Sequence, residues 1–103
     1  MAKLKLQANP SFVCKVLIPV AGGEPEELVF TFKHRTKSGM DEFIKSRTDK
    51  SDTESIMDMA TAWDLDDAFS ADNLEALCQN YIAAPLEIYR AYIDELTKAR
   101  IKN

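Results

Sequence analysis

The sequence predicts an α+β fold: an N-terminal antiparallel β-hairpin followed by about four α-helices packed on it. Three observations lead there. Two short runs near the start alternate apolar residues at period two across a glycine-bearing loop, the pattern of paired strands. From Thr36 onward the apolar spacing changes to three and four, with a helix-start signal before each stretch. At 103 residues, 46% hydrophobic and 29% charged, the chain can bury one modest core without staples, so it reads as a single domain. That domain divides into a flexible leader (1–10), a hairpin (11–34) and a helical part (36–101).

The leader, MAKLKLQANP, is short and basic, and Asn9-Pro10 is a turn signal. Ser11 to Pro19 then places Phe12, Cys14, Val16 and Ile18 at period two, with Val13 and Leu17 on the other face. β-Branched, aromatic and aliphatic residues over so short a run favour a strand. Gly22-Gly23 and Pro25 make the loop from Val20 to Glu26, since glycine accepts positive φ and proline stops a ladder. A second strand, Glu27 to His34, alternates Leu28, Phe30 and Phe32 with Val29, Thr31 and Lys33. A hairpin alone is marginal, so one face must be covered by helices.

Thr36 or Ser38 can cap a helix to about Arg47 that buries Met40, Phe43 and Ile44. Ser51-Asp52-Thr53-Glu54 is a capping box, and the helix it opens carries Ile56, Met59, Ala60 and Trp63 along one face. Asp64 to Ala68 ends it. Ser70 caps the next helix, with Phe69 and Leu74 at hydrophobic-staple spacing and Leu74, Leu77, Cys78, Tyr81 and Ile82 as its buried stripe. Pro85 suits the first turn of a last helix from about Ala84 to Ile101. That helix bears one stripe of Leu86, Tyr89, Ile93 and Leu96 and a second of Ile88, Tyr92 and Ala99. Lys98, Arg100 and Lys102 suit its negative end.

The chemistry on offer is thin. A net charge of -4 argues against nucleic acid as a partner, and no run approaches the roughly 20 apolar residues of a membrane-spanning helix. The two cysteines, Cys14 and Cys78, lie at apolar periodic positions without CxxC spacing, which favours buried free thiols. His34, the only histidine, could pair with one of them as a nucleophile couple, but no motif supports this and a structural or surface histidine is favoured. Asp64, Asp66, Ser70, Asp72 and Glu75 fall on positions 1, 3, 7, 9 and 12 of a calcium loop. Ala68 and Phe69 stand where that loop needs a ligand and a glycine, so neither metal nor other cofactor is expected. No phosphate-loop, dinucleotide, zinc-protease or serine-elbow motif is present, and neither an enzyme nor a small-molecule substrate is expected.

The aromatics point to protein contacts instead. Trp63, Tyr81, Tyr89 and Tyr92 belong to the types enriched at binding hot spots. Pattern favours core packing for Trp63 and Tyr89, whereas Tyr92 lies off the main stripe and is the expected surface contact. Ile93 and Leu96, on the stripe of Tyr89, are expected contacts as well. Lys33, Arg35 and Lys37 form a basic group, read either as a solvated face or as a second surface for an acidic partner.

The order of these features resembles the small tail assembly chaperones of tailed bacteriophages and prophages. The resemblance runs from about Phe12 to Leu96. It rests on Trp63-Asp64, on the helix start Phe69-Ser70-Ala71-Asp72-Asn73-Leu74, on Tyr81, and on Tyr89 or Tyr92 in the last helix. Ala62 and the glycine-free DLDDA loop depart from the glycines that family members often carry there. The resemblance implies a non-enzymatic role in the bacterial host cytoplasm: holding a tape measure protein soluble, helping tail-tube subunits assemble, and leaving before the virion is mature. Such chaperones often have a second, longer, frameshifted form. The spare apolar face of the last helix is open to self-association as well, and a small regulatory adaptor binding an unrelated protein is the alternative reading.

Overall fold

The computed structural model describes residues 4–98. Alternation in the two N-terminal runs becomes a two-faced ribbon. Strands β1 (Ser11–Ile18) and β2 (Glu26–Lys33) pair antiparallel, with Phe12 opposite Phe32, Cys14 opposite Phe30 and Val16 opposite Leu28. Val16, Ile18, Leu28, Phe30 and Phe32 are buried on one face, while Val13 and Leu17 on the other stay 66% and 56% exposed. Gly22 turns the ribbon at φ +78°, a left-handed conformation that side chains disfavour, and the Gly23 N–H donates to the Val20 carbonyl at 3.0 Å.

Helix α1 (Lys37–Ser46) starts where the Thr36 hydroxyl accepts from the Gly39 N–H. Of the three side chains expected inside, Phe43 is buried and Ile44 is not. One 3-10 turn, Arg47–Asp49, leads to α2 (Asp52–Met59). The capping box forms as expected: the Glu54 N–H donates to Ser51 Oγ at 3.1 Å and the Ser51 N–H to Glu54 Oε1 at 2.8 Å.

The main correction to the expected fold follows. Instead of continuing to Trp63, α2 stops at Met59, and Ala60–Trp63 becomes a strand, β3, antiparallel to β2. The hairpin is therefore two-thirds of a three-stranded sheet of order β1-β2-β3. Ile56, Met59, Ala60 and Trp63 fit helical spacing, but the far edge of β2 offers backbone groups that a helix could not satisfy. Asp64 extends the match, its N–H donating to the Val29 carbonyl and its carboxylate accepting from the Val29 N–H, both at 3.0 Å. A bulge between Thr31 and Phe32 adjusts the register.

Helix α3 (Ala71–Asn80) is capped by Ser70, which accepts from the Asn73 N–H at 3.2 Å. Leu74 is fully buried and Phe69 half-buried against the same core. Tyr81 and Ile82 fall beyond the helix and are exposed rather than buried, Ile82 at 90%. Helix α4 (Ala84–Thr97) carries Pro85 in its first turn and ends earlier than expected, with Lys98 in the left-handed region at φ +49°. Ala99, Arg100 and Lys102 lie outside the described residues. The two stripes of α4 also exchange roles. Ala84, Ile88 and Tyr92 are fully buried, whereas Leu86 is 49% exposed and Tyr89, Ile93 and Leu96 pack half-buried at the core margin.

A candidate partner-binding cleft

The residues singled out for partner contact separate into two places. Tyr92, expected at the surface, has no exposed surface at all. Its ring meets Phe32 at 5.0 Å, Phe43 at 5.6 Å and Phe12 at 6.1 Å, and its hydroxyl donates to the Lys33 carbonyl at 2.8 Å. Arg35, just past β2, is drawn in by the same hydroxyl: its Nε donates to Tyr92 Oη at 2.9 Å and its Nη2 to the Asp58 carbonyl at 2.6 Å. The guanidinium also sits 3.1 Å from Asp58 Oδ1, while Lys50 Nζ holds Oδ2 at 3.0 Å. Of the basic group Lys33, Arg35 and Lys37, Arg35 is thus structural. Lys37 and His34 are exposed and Lys33 is half-exposed. Tyr89 lies under Arg47, whose guanidinium carbon is 3.4 Å from the ring centroid.

Asp58 gives this cluster a pH signature. Burial opposes its ionisation, but the Lys50 hydrogen bond and the Arg35 charge outweigh that and hold its pKa below the ordinary 3.8. A depressed folded pKa contributes stability that is present above the unfolded value and lost as pH falls through the folded one. Asp58→Asn should therefore melt lower than the wild type at neutral pH, by about 1 kcal/mol of stability given the partial exposure. The two melting curves should converge below about pH 4; a gap that persists in acid would mean the charge is irrelevant.

The reactive-cysteine reading meets an opposite environment. Burial first, then the charge of Asp52, push the Cys78 thiol from the ordinary 9.0 up to about 11. An activated nucleophile needs a lowered value. In a Cys14→Ser background, alkylation of Cys78 near pH 8 should run about a hundredfold slower than that of a free thiol, as the thiolate fraction dictates. The acidic residues near α3 are engaged locally: the Glu75 carboxylate accepts from Thr53 and Gln79, which lowers its pKa. Among the described residues no group of three or more His, Cys, Asp or Glu side chains is placed to hold a metal ion.

Trp63 occupies the second place. β3 delivers its indole to the open end of the sheet, where it tilts against Phe30 at 6.2 Å and sets its edge on Phe69 at 5.2 Å. Its Nε1–H donates to the Asp67 carbonyl at 2.7 Å, so the acidic loop closes over the ring. Beside it runs a cleft of about 540 Å³, walled by Leu28, Trp63, Leu65, Leu77 and Tyr81. Its charged lining residues are Glu26, Glu27 and Asp67, all exposed and all acidic. The arrangement offers apolar side chains for burial and negative charge at the mouth. Of the expected contacts, only Trp63 lines it. Leu65 lines it too, and its signal in the sequence is only that of a lone leucine in an otherwise polar loop. Tyr81 fits the buried stripe by spacing but turns to the cleft because α3 ends one residue before it, at Asn80.

Among the described residues no helix is long and apolar enough to cross a membrane. A family model described as phage tail assembly chaperone matches residues 1–103. No curated protein and no solved structure matches the chain.

Proposed function

The chain belongs to the phage tail assembly chaperone family, and from that premise we propose that it holds a tape measure protein soluble while tail-tube subunits assemble. A chaperone role in tail assembly goes with the family, as does a non-enzymatic mode of action. The finer reading places the protein in the host cytoplasm of a phage or prophage, leaving before the virion matures. It rests on one observation: the Trp63 cleft joins an apolar wall to a wholly acidic mouth. A tape measure segment that forms an amphipathic helix with basic flanks fits such a surface, burying the stripe that would otherwise aggregate. Exposed Lys37 and half-exposed Lys33 offer a separate basic surface to the tail-tube subunits.

The test is capture of tape measure and tail-tube proteins by the tagged full chain from cells expressing the tail genes. Leu65 and Tyr81 are 41% and 36% exposed, so Leu65→Ser with Tyr81→Ala should leave the fold intact. The pair should weaken tape measure capture by roughly 10- to 100-fold, the scale of lost hot-spot residues. Recovery of neither tail protein by the wild type would sink the reading. Recovery of an unrelated host protein through the same cleft would favour a regulatory adaptor.

A further inference from the structure

The sheet has a second unfinished side, remote from Trp63. The His34 N–H donates to the Pro10 carbonyl at 2.9 Å, which sets the phase of the β1–β2 ladder. Even-numbered residues of β1 exchange backbone bonds with β2, so residues 11, 13, 15 and 17 aim their N–H and C=O groups away from it. With strand order β1-β2-β3, no strand among the described residues receives them. Along that edge lies a groove of about 460 Å³ between β1 and α4, with Glu87, Arg90, Asp94 and Glu95 on its helical side and Lys15 on the strand; Glu87 pairs with Arg90 at 3.6 Å and Glu95 with Lys98 at 2.7 Å.

The leader has the matching pattern. Leu4 and Leu6 are 91% and 108% exposed, fully unburied apolar side chains that Lys5 separates at strand period. On β1, Val13 and Leu17 are the exposed apolar pair, also on one face at even spacing. A strand laid on this edge sets one leucine opposite Val13 or Leu17 and the other opposite Lys15, within diagonal reach of the second, and turns Lys5 to the opposite face, where α4 presents Asp94 beside the paired Glu87 and Glu95. Backbone bonding, apolar matching and charge all point to the same placement.

We propose that the free edge of β1 accepts the leader strand, Leu4 to Leu6, of a second copy of this chain, so that the protein self-associates by strand addition. The proposal is independent of the Trp63 cleft and of what that cleft binds. Strand addition of this kind draws affinity from the main chain and register from alternate side chains.

The experiment is sedimentation of the full chain over a concentration series up to about 100 μM, with two variants. Leu4→Ser with Leu6→Ser removes the leader's apolar face and touches no buried contact. Lys15→Pro deletes an outward N–H while leaving the β1–β2 bonds, since proline is tolerated on an edge strand where its missing N–H would face solvent. If Lys15→Pro melts out, Val13→Lys with Leu17→Lys replaces it. The wild type is expected to associate, more weakly as salt rises, and both variants to remain monomeric. A monomeric wild type overturns the proposal, including the case in which the leader folds back on its own β1. Association unchanged in either variant overturns it too, since the leader and the edge are both required.

Discussion

Tyr92→Ala is expected to lower stability by about 3–5 kcal/mol, the usual cost of emptying a fully buried aromatic site. The ring touches Phe12, Phe32 and Phe43, from β1, β2 and α1, so its removal leaves a void at the meeting point of three elements. The loss does not end with packing. The hydroxyl both accepts from Arg35 and donates to the Lys33 carbonyl, and without it a half-buried guanidinium loses one of its restraints. Tyr92→Phe isolates that polar part and should cost about 1–2 kcal/mol. A domain of this size has roughly 5–15 kcal/mol in all, so the alanine variant should populate unfolded chains measurably and the phenylalanine variant should not. Urea unfolding of the three proteins decides it: an alanine variant within 1 kcal/mol of the wild type would mean that α4 does not pin the sheet.

Phe30→Ala is expected to be comparably severe, again about 3–5 kcal/mol, and to damage binding as well. Phe30 is fully buried, stacks on Phe32 at 5.3 Å and supports Trp63 at 6.2 Å. Its loss undercuts the indole that walls the cleft. Any protein that survives should have a melting temperature lowered by at least about 10 °C and a more solvent-exposed Trp63 by fluorescence. A red-shifted tryptophan emission below the melting transition would show the cleft loosening before the fold is lost. An unshifted emission with normal stability would show that Trp63 is held by Phe69 and the Asp67 carbonyl alone.

Most of the architecture was legible because it follows from local physics. Thr36, Ser51 and Ser70 each cap the helix that their position in the sequence indicates. The alternation of β1 and β2 names the buried face correctly. What escaped depends on distant partners. β3 spans four residues whose spacing fits a helix, and only the unpaired edge of β2 decides otherwise. The face of α4 that turns inward cannot be chosen from two apolar stripes of similar strength, so spacing puts Tyr92 off the main stripe and misses its burial. The candidate cleft was legible at Trp63 alone. Leu65 and Tyr81 reach it because the loop after β3 and the end of α3 come together there; Leu65 carries no periodic signal, and the helical spacing of Tyr81 points inward, past a helix that ends at Asn80.

β3 joins the sheet only after the chain has travelled through α1 and α2, and this gives the molecule a folding order. The β1–β2 ribbon can form by local search, whereas docking β3 must close a loop that contains two whole helices, a slower event governed by chain entropy. The Trp63 wall is therefore the last part of the sheet to be assembled and the first to be lost when α1 and α2 loosen. A newly made chain would complete the Trp63 wall only after the β1–β2 ribbon has formed.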